Sequence, residues 1–379
     1  MRNRRLVILI CTLALLHAYV GVRLLPDLPI VPAARLAGAL LLAVSFAAMV
    51  LGLHARSIAD RAWSDRVAAA GLLVTGFFSS LCVVTVLRDG VLLAAILPLS
   101  AAHVHLLAAA SAAAAVVFAF LATGVGFANA RRDARVVRVS IPLRDLPPAL
   151  HGFTIAQVSD VHVGRTIKRP FVEAIVRAVN ALDADLIAVT GDLVDGPVEE
   201  LGRHIAPLAQ LRARHGVYFV TGNHEYYAGE PAWSARLKSL GMNVLKNEHV
   251  VVRHGGAALV VAGVTDFGAH QFDARERSDP HAAIAGAPRD AGARILLAHQ
   301  PRSAAEAERA GFDLQLSGHT HGGQFWPWML FVRLQQPFTA GLHRLGRLWV
   351  YISRGTGYWG PPKRLGAPSE ITLLELAPA

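Results

Sequence analysis

The sequence predicts two joined parts: an N-terminal α-helical transmembrane bundle of about four spans and a C-terminal α/β domain of layered strands and helices. Charge distribution is the first reason. Residues 1–130 hold nine Lys/Arg and four Asp/Glu, against 28 and 23 in the remaining 249. The second is a set of apolar runs in the first part long enough to cross a hydrocarbon core as helices. The third is an alternation, in the second part, of short buried-strand patterns with helical periodicity. With 53% hydrophobic residues, 17% charged residues and a mean hydropathy of +0.40, the chain is neither disordered nor wholly soluble in character.

The spans follow in order. Leu6–Val22 is the first, ended by Arg23 and the Pro26–Pro32 turn region. Leu36–Leu53 is the second, and Val67–Leu87, free of charge, is the third. Val91–Ala130 also lacks any charged residue. It reads as a fourth helix over Leu106–Ala128, with Val91–His105 as an interfacial or re-entrant lead-in marked by Pro98, His103 and His105. His17, His103 and His105 read as bundle-facing or interfacial residues. Charged residues within the spans would favour a transporter or channel, and their absence argues against one.

Orientation follows from the basic residues. Arg2, Arg4 and Arg5, then Arg56, Arg61 and Arg66, then Arg131, Arg132, Arg135 and Arg138 fall on one side, ten in all; Arg23, Arg35 and Arg88 fall on the other. The expectation is a multi-pass protein of the cell (inner) membrane with its C-terminal domain cytoplasmic. An export signal at the first apolar run is the rival reading; no small-x-small cleavage site follows cleanly, and three more spans come after it.

The regions expected are a membrane part at 1–130, a basic and Pro-rich connector with an edge strand at 131–152, and a catalytic-sized domain at 153–379. Arg135–Ile141 reads as the edge strand and Pro142–Gly152 as the connector. Further strands are Phe153–Ser159, Leu186–Thr190, Val217–Val220, Ala258–Gly263, Arg294–Ala298 and Leu314–Leu316. Phe171–Leu182 and Val198–Arg214 read as helices. Such alternation predicts a sheet covered on both faces, with ligands collected at the carboxyl ends of its strands.

Polar clusters stand at those ends five times. They are Ser159-Asp160-Val161-His162, Gly191-Asp192-Leu193-Val194-Asp195, Gly222-Asn223-His224-Glu225, His299, and Gly318-His319-Thr320-His321. Each offers carboxylate, amide-oxygen or imidazole donors beside small residues. If strand geometry persists, Asp160 and His162 face one side, as do His319 and His321. Eight of the thirteen histidines after residue 130, His151, His215, His254 and His343 among them, fall in no cluster and read as surface or core.

The order Asp-x-His, Gly-Asp, Gly-Asn-His-Glu, His, Gly-His-x-His resembles the calcineurin-like metallophosphoesterase superfamily over about residues 150–325. Gly322-Gly323-Gln324 and Ser353–Gly360 resemble its membrane-associated bacterial branch. The resemblance implies a layered β-sandwich flanked by helices, a phosphoric ester hydrolase, and two divalent ions of Mn, Fe or Zn type. Asp160, His162, Asp192 and His321 would hold one ion, and Asp192, Asn223, His299 and His319 the other, with Asp192 bridging. These donors suit such metals, and no thiolate enters. His224 resembles the group that binds the phosphate and protonates the leaving group. Asp195 matches the position that orients that imidazole, or else is a turn residue before Gly196. Arg354 either contacts a substrate phosphate or makes a plain salt bridge. Thr265-Asp266 stands where the family often has an acidic pair, so a role for Asp266 is left open.

Other patterns lead elsewhere. Gly355-x-Gly357-x-x-Gly360 spells a dinucleotide fingerprint, but Pro361-Pro362 cannot continue the helix such a site needs. With only Cys11 and Cys82, neither a disulfide framework nor a cysteine zinc site can be built. The formal charge of +10 is split evenly between the two parts, so nucleic acid is not an expected partner. The aromatics Phe325, Trp326, Trp328, Phe331 and Phe338 read as core or as an apolar lip meeting the bilayer or an acyl chain. The expected partners are the lipid bilayer and a phosphorylated small-molecule or lipid-linked substrate. A non-catalytic sensor or scaffold, and a phosphodiesterase acting on soluble nucleotides, are the rival functions.

Overall fold

The computed structural model describes residues 2–379. The side chains of Arg2 and Arg5, which the charge count uses, lie outside the described residues. The chain divides into two compact units, Met1–Asn129 with Gly360–Leu365, and Ala130–Trp359 with Gly366–Ala379.

In the first unit, α1 (Arg2–Leu24), α2 (Pro32–His54), α3 (Arg61–Ala95) and α4 (Ala101–Ala130) are each long and apolar enough to cross a membrane. Pro32 opens α2, where its missing N–H costs nothing. The Asp60 side chain caps α3 by accepting the Trp63 amide at 2.8 Å. Val20, Leu24, Phe78, Leu81, Ala115 and Ala119 form the buried centre of the bundle. His17 is buried, bonded through Nδ1 to the Leu13 carbonyl and stacked on Phe78. From the 360–365 segment, Lys363 donates to the Gly76 carbonyl at 3.1 Å and to the hydroxyls of Ser80 and Thr123.

Two expectations for this unit are corrected. Val91–His105 is no interfacial lead-in: Val91–Ala95 complete α3 and Ala101–His105 begin α4, with Pro98 in the turn between them. Arg88 and Asp89 do not end the third span as a loop but lie inside α3. Arg88 is 4% exposed, which a helix interior tolerates because every part of its guanidinium is occupied. It pairs with Asp27 and donates to Ser111 Oγ and to the carbonyls of Arg23 and Ala108, each at 3.0 Å.

The second unit runs β1 (Arg135–Leu143), β2 (Thr154–Val158), α5 (Arg169–Asn180), β3 (Leu186–Val189), α6 (Val198–Ile205), β4 (Val217–Phe219), α7 (Asn223–Ala228), α8 (Glu230–Ser239) and β5 (Asn243–Val244). It continues with β6 (Glu248–His254), β7 (Ala257–Gly263), α9 (Pro280–Ile284), β8 (Ala293–Leu297), α10 (Ala304–Arg309), β9 (Leu314–Ser317), α11 (Met329–Val332), β10 (Gly341–Leu345), β11 (Leu348–Ile352) and β12 (Glu370–Pro378). Two six-stranded sheets result, in the orders β1-β12-β2-β3-β4-β5 and β10-β11-β9-β8-β7-β6. β2 to β5 are parallel, as are β7, β8, β9 and β11; β12 against β2, β6 against β7 and β10 against β11 are antiparallel.

The two-residue alternation of strands assigns the layers. Ile155, Leu186 and Tyr218 of the first sheet meet Leu259, Ile295 and Leu316 of the second in one apolar layer. The opposite side chains of the first sheet, Val158, Val189 and Phe219, pack on α5, α6 and α8 through Val176, Ile205 and Trp233. Ala262, Leu296 and Val350 of the second sheet pack on α9 and α10 through Ala283 and Ala307. Each sheet thus has helices on its outer face and the other sheet on its inner one. The helix expected over Val198–Arg214 stops at Ile205 and tightens into a 3₁₀ turn at Ala206–Gln210, where Pro207 has no N–H to continue it. β1 is at the sheet edge and carries Pro142 within it, which an edge strand permits.

Candidate active site

All five polar clusters lie at the carboxyl ends of parallel strands or in the turns directly after them: β2, β3 and β4 in one sheet, β8 and β9 in the other. Several of their donor residues are not extended. Asp160, His162, Asp192, His319 and His321 all have left-handed backbones, with φ between 50° and 71°. Such angles are costly for residues with a Cβ and persist where surrounding contacts impose them. Asp160 and His162 therefore reach one site through successive left-handed turns, not through strand alternation. His319 and His321 do not share a destination: His321 joins Asp160 and His162, while His319 joins Asp192 and His299.

In the first group, His162 Nε2 stands 3.0 Å from His321 Nε2 and 4.0 Å from Asp160 Oδ1, and His321 Nε2 is 3.5 Å from the same oxygen. In the second, His299 Nε2 is 3.1 Å from Asp192 Oδ2 and 3.3 Å from His319 Nδ1. Asp192 Oδ2 also lies 3.8 Å from His162 Nε2, so one carboxylate oxygen reaches both groups. Asn223 Oδ1 is buried and has no hydrogen-bond partner, an expensive state for an amide oxygen without a further ligand.

Outer contacts fix which ring atoms face inward. His299 Nδ1 donates to the Thr190 carbonyl at 2.7 Å, and His162 Nδ1 donates to Asp195 Oδ1 at 2.8 Å. Each neutral ring then keeps its Nε2 lone pair for the centre, the arrangement in which histidine binds metals. Imidazole nitrogens, carboxylates and one orphaned amide oxygen, with no thiolate, fit divalent cations of the Mn, Fe or Zn type.

Asp195 serves two rings, because His224 Nδ1 lies 2.7 Å from the same Oδ1 that His162 uses. Burial opposes its charge, yet the two histidines outweigh that and hold its carboxyl well below the usual carboxylate range. Burial likewise pulls His162 down, but Asp195, Asp192 and Asp160 raise it to about 9 in the absence of a cation. His319 has burial and the neighbouring His299 against its charge and is lowered to about 3. His224 Nε2 lies 4.0 Å from Asp192 Oδ2, and the His224 amide donates to Asp192 Oδ1 at 2.9 Å.

Two glycines let the loops close. A Cβ on Gly222 would stand 2.1 Å from Asp192 Oδ1, and one on Gly318 would stand 2.0 Å from Ser159 Oγ and 2.1 Å from Asp160 Oδ2. Glu225, the last letter of Gly-Asn-His-Glu and given no role from sequence, accepts the amides of Asp192, Leu193 and Gly222 at 2.7–2.9 Å. It clamps the loops after β3 and β4 together, and burial and Asp192 raise its carboxyl to about 7.

Arg354 bonds Glu370 Oε2 at 2.9 Å through Nη1, and its stem lies against Gly322, next to His321. Asp266 is buried, accepting from Gly268 and Gln300. The predicted aromatic stretch divides. Phe325 is buried and Phe338 packs on the core of the second sheet, while Trp328 and Phe331 are exposed. The aromatics beside His224 are others: Tyr227 and Trp359 meet its ring edge-on at 5.3 and 5.8 Å, and Phe272 packs on Tyr227. Their signal in the sequence was weak, since Phe272 and Trp359 belong to loops remote from His224.

The calcineurin-like phosphoesterase family matches the chain over residues 153–323. A Bos taurus protein named "Transmembrane protein with metallophosphoesterase domain" is 40% identical over 70% of this chain and 62% of its own length. The chain thus spans about three fifths of that relative. An "Uncharacterized metallophosphoesterase" of Helicobacter pylori strain J99 is 40% identical over 59% of this chain and 60% of that one. Another of the same description, from Aquifex aeolicus strain VF5, is 32% identical over 64% of this chain and 91% of its own length. Relatives therefore extend beyond bacteria to animals.

Proposed function

From the premise that this chain belongs to the calcineurin-like metallophosphoesterase family, we propose that it is a membrane-anchored, dinuclear metal-dependent phosphoric ester hydrolase. The observation that carries the reading is the sharing of Asp192 Oδ2 between two imidazole-carboxylate groups, with the buried Asn223 oxygen left for a ligand. Asp160, His162, Asp192 and His321 would hold one cation, and Asp192, Asn223, His299 and His319 the other. Bound there, divalent cations supply Lewis-acid polarisation of a phosphoryl oxygen and acidify a water for attack.

The remaining chemistry belongs to side chains. His224 carries a proton on Nε2 toward the leaving-group oxygen, while its Nδ1–H is held by Asp195. Asp195 is a positioning residue: it fixes the tautomers of His224 and His162 together. Glu225 holds the Asp192 loop in register with the His224 loop. Tyr227, Trp359 and Phe272 offer a flat apolar wall beside the proton donor, which supports a substrate with an apolar leaving group or tail. Arg354 is a further candidate for contact with a substrate phosphate.

A lipid-linked phosphodiester or pyrophosphate is the favoured substrate class, since four apolar helices confine the hydrolase to a membrane. A soluble nucleotide diester is the alternative. Ten basic residues against two, Arg23 and Arg35, once Arg88 is assigned to the interior of α3, support a cytoplasmic C-terminal unit at the inner membrane. The test is hydrolysis of an aryl phosphodiester by the purified full chain with Mn²⁺, beside Asp192→Ala and His224→Ala. Activity indifferent to chelator and to both substitutions would overturn the proposal. Comparing a lipid-linked diester with a cyclic nucleotide separates the two substrate classes. A cysteine introduced near residue 379 that reacts with a membrane-impermeant reagent in intact cells would reverse the orientation.

A further inference from the structure

The opposite edge of the sandwich carries a second gathering of imidazole and carboxylate. Asp185 immediately precedes β3 and His215 comes just before β4, at the amino ends of the strands whose carboxyl ends carry Asp192 and Asn223. His254 ends β6 in the other sheet. His215 Nε2 lies 3.0 Å from His254 Nδ1, and His254 Nδ1 lies 3.9 Å from Asp185 Oδ1. All three donor atoms are within 4.8 Å of one another.

The surroundings hold these donors in place. Asp185 Oδ2 accepts the Thr154 amide and hydroxyl, both at 2.9 Å, so Oδ1 is the oxygen left to the histidines. The His215 amide donates to the Asp185 carbonyl at 2.8 Å, locking the two first-sheet donors together. Phe153 stacks on the His215 ring and meets the His254 ring edge-on. Burial, then His254 and Arg214, lower the His215 pKa and favour the neutral imidazole that ligates cations.

We propose that Asp185, His215 and His254 form a metal site separate from the candidate active site, taking one divalent transition cation of the Zn²⁺ class and tying the two sheets together. Zinc bonds of roughly 2.0–2.1 Å to nitrogen and oxygen put tetrahedral ligand atoms about 3.3 Å apart, a spacing that the observed 3.0 and 3.9 Å bracket. Two imidazoles and a carboxylate are an established donor set for this metal, with water completing the shell. Water has access, because the side chains of His254 and Asp185 are 19% and 22% exposed. The competing account is a metal-free N–H···N bond between the two rings.

The experiment strips the purified full chain with chelator, titrates it with Zn²⁺, and reads bound metal and Tm. His254→Ala is expected to bind one equivalent fewer than the unaltered chain, whatever the total. It is also expected to lose a Zn²⁺-dependent rise in Tm of about 5 °C. Its turnover with Mn²⁺ is expected to stay within about twofold. Equal stoichiometry and an equal Tm rise in both proteins would overturn the site. Should His254→Ala fail to fold, His215→Gln and the Co²⁺ spectrum of the unaltered chain decide the matter. Co²⁺ absorption that His215→Gln leaves unchanged would equally sink the proposal.

Discussion

The two edges of the sandwich carry the same kinds of side chain and treat them oppositely. At the carboxyl edge, five donor residues have left-handed backbones, Asp160, His162, Asp192 and His299 are at most 2% exposed, and one buried acceptor is unpaired. At the amino edge, Asp185, His215 and His254 are half-buried and have none of these backbone angles. A cation at the carboxyl edge is anticipated by the fold at a cost in strain. One at the amino edge would add to a junction that already stands through Phe153 and ordinary hydrogen bonds. Identity of donors does not therefore measure how far a site is built for its ligand; strain and desolvation do.

The largest effect that separates the edges is expected from Asp192→Ala, which removes the oxygen common to both groups. Its kcat/KM should fall by about 10³-fold or more, read with a chromogenic diester, whereas Asp185→Ala should leave that rate nearly unchanged. A similar loss in both variants would erase the distinction. His224→Ala comes next, at about 10²- to 10⁴-fold. The loss should be smaller for a nitrophenyl leaving group, which departs without a proton, than for an alkyl one. Equal losses on both substrates would remove His224 as the proton donor.

Gly318→Ala sharpens the packing side of the contrast. Its Cβ would overlap Ser159 Oγ and Asp160 Oδ2, so a destabilisation of about 3 kcal/mol is expected by thermal unfolding. No change in Tm would mean that the loops are looser than they stand. The smallest effect concerns Lys246, whose Nζ lies 2.7 Å from Glu276 and 3.1 Å from Glu230. Glu276 also accepts from Tyr226 and lies in the segment that carries Phe272 to the catalytic edge. Burial works against the ammonium, but its hydrogen bonds to Glu276 and Glu230 prevail and raise its pKa above the ordinary 10.5. Because that pKa is raised, the contribution is complete below pH 10.5 and fades as pH climbs through the folded value. Lys246→Met should cost about 1 kcal/mol at pH 7 and progressively less in alkaline melts.

Much of this was legible because burial and chemistry leave local marks. Apolar runs such as Leu186–Val189 end in donors such as Asp192, and that adjacency announces a strand and the site at its tip. Long-range pairing leaves no such mark. β12 was not foreseen, since it owes its place to partners distant in the chain, as Glu370 does to Arg135. Arg88 was taken for a loop residue because charge in an apolar stretch looks like an exit. Asp27, 61 residues away in the chain, and the carbonyls of Arg23 and Ala108 are what keep it inside. His215 and His254 were set aside singly for the same reason: 39 residues part them, and only the meeting of two sheets makes them a pair.

The placement of β12 between β1 and β2 has a consequence for synthesis. β1 emerges from the ribosome just behind the membrane helices, yet the strand it pairs with among the described residues begins 235 residues later, at Glu370. At roughly 5–20 residues per second, that is tens of seconds during which a nascent strand waits unpaired beside the translocation machinery. Its two exposed arginines, Arg135 and Arg138, supply the charge that keeps such an orphan edge from recruiting the wrong companion in the interval.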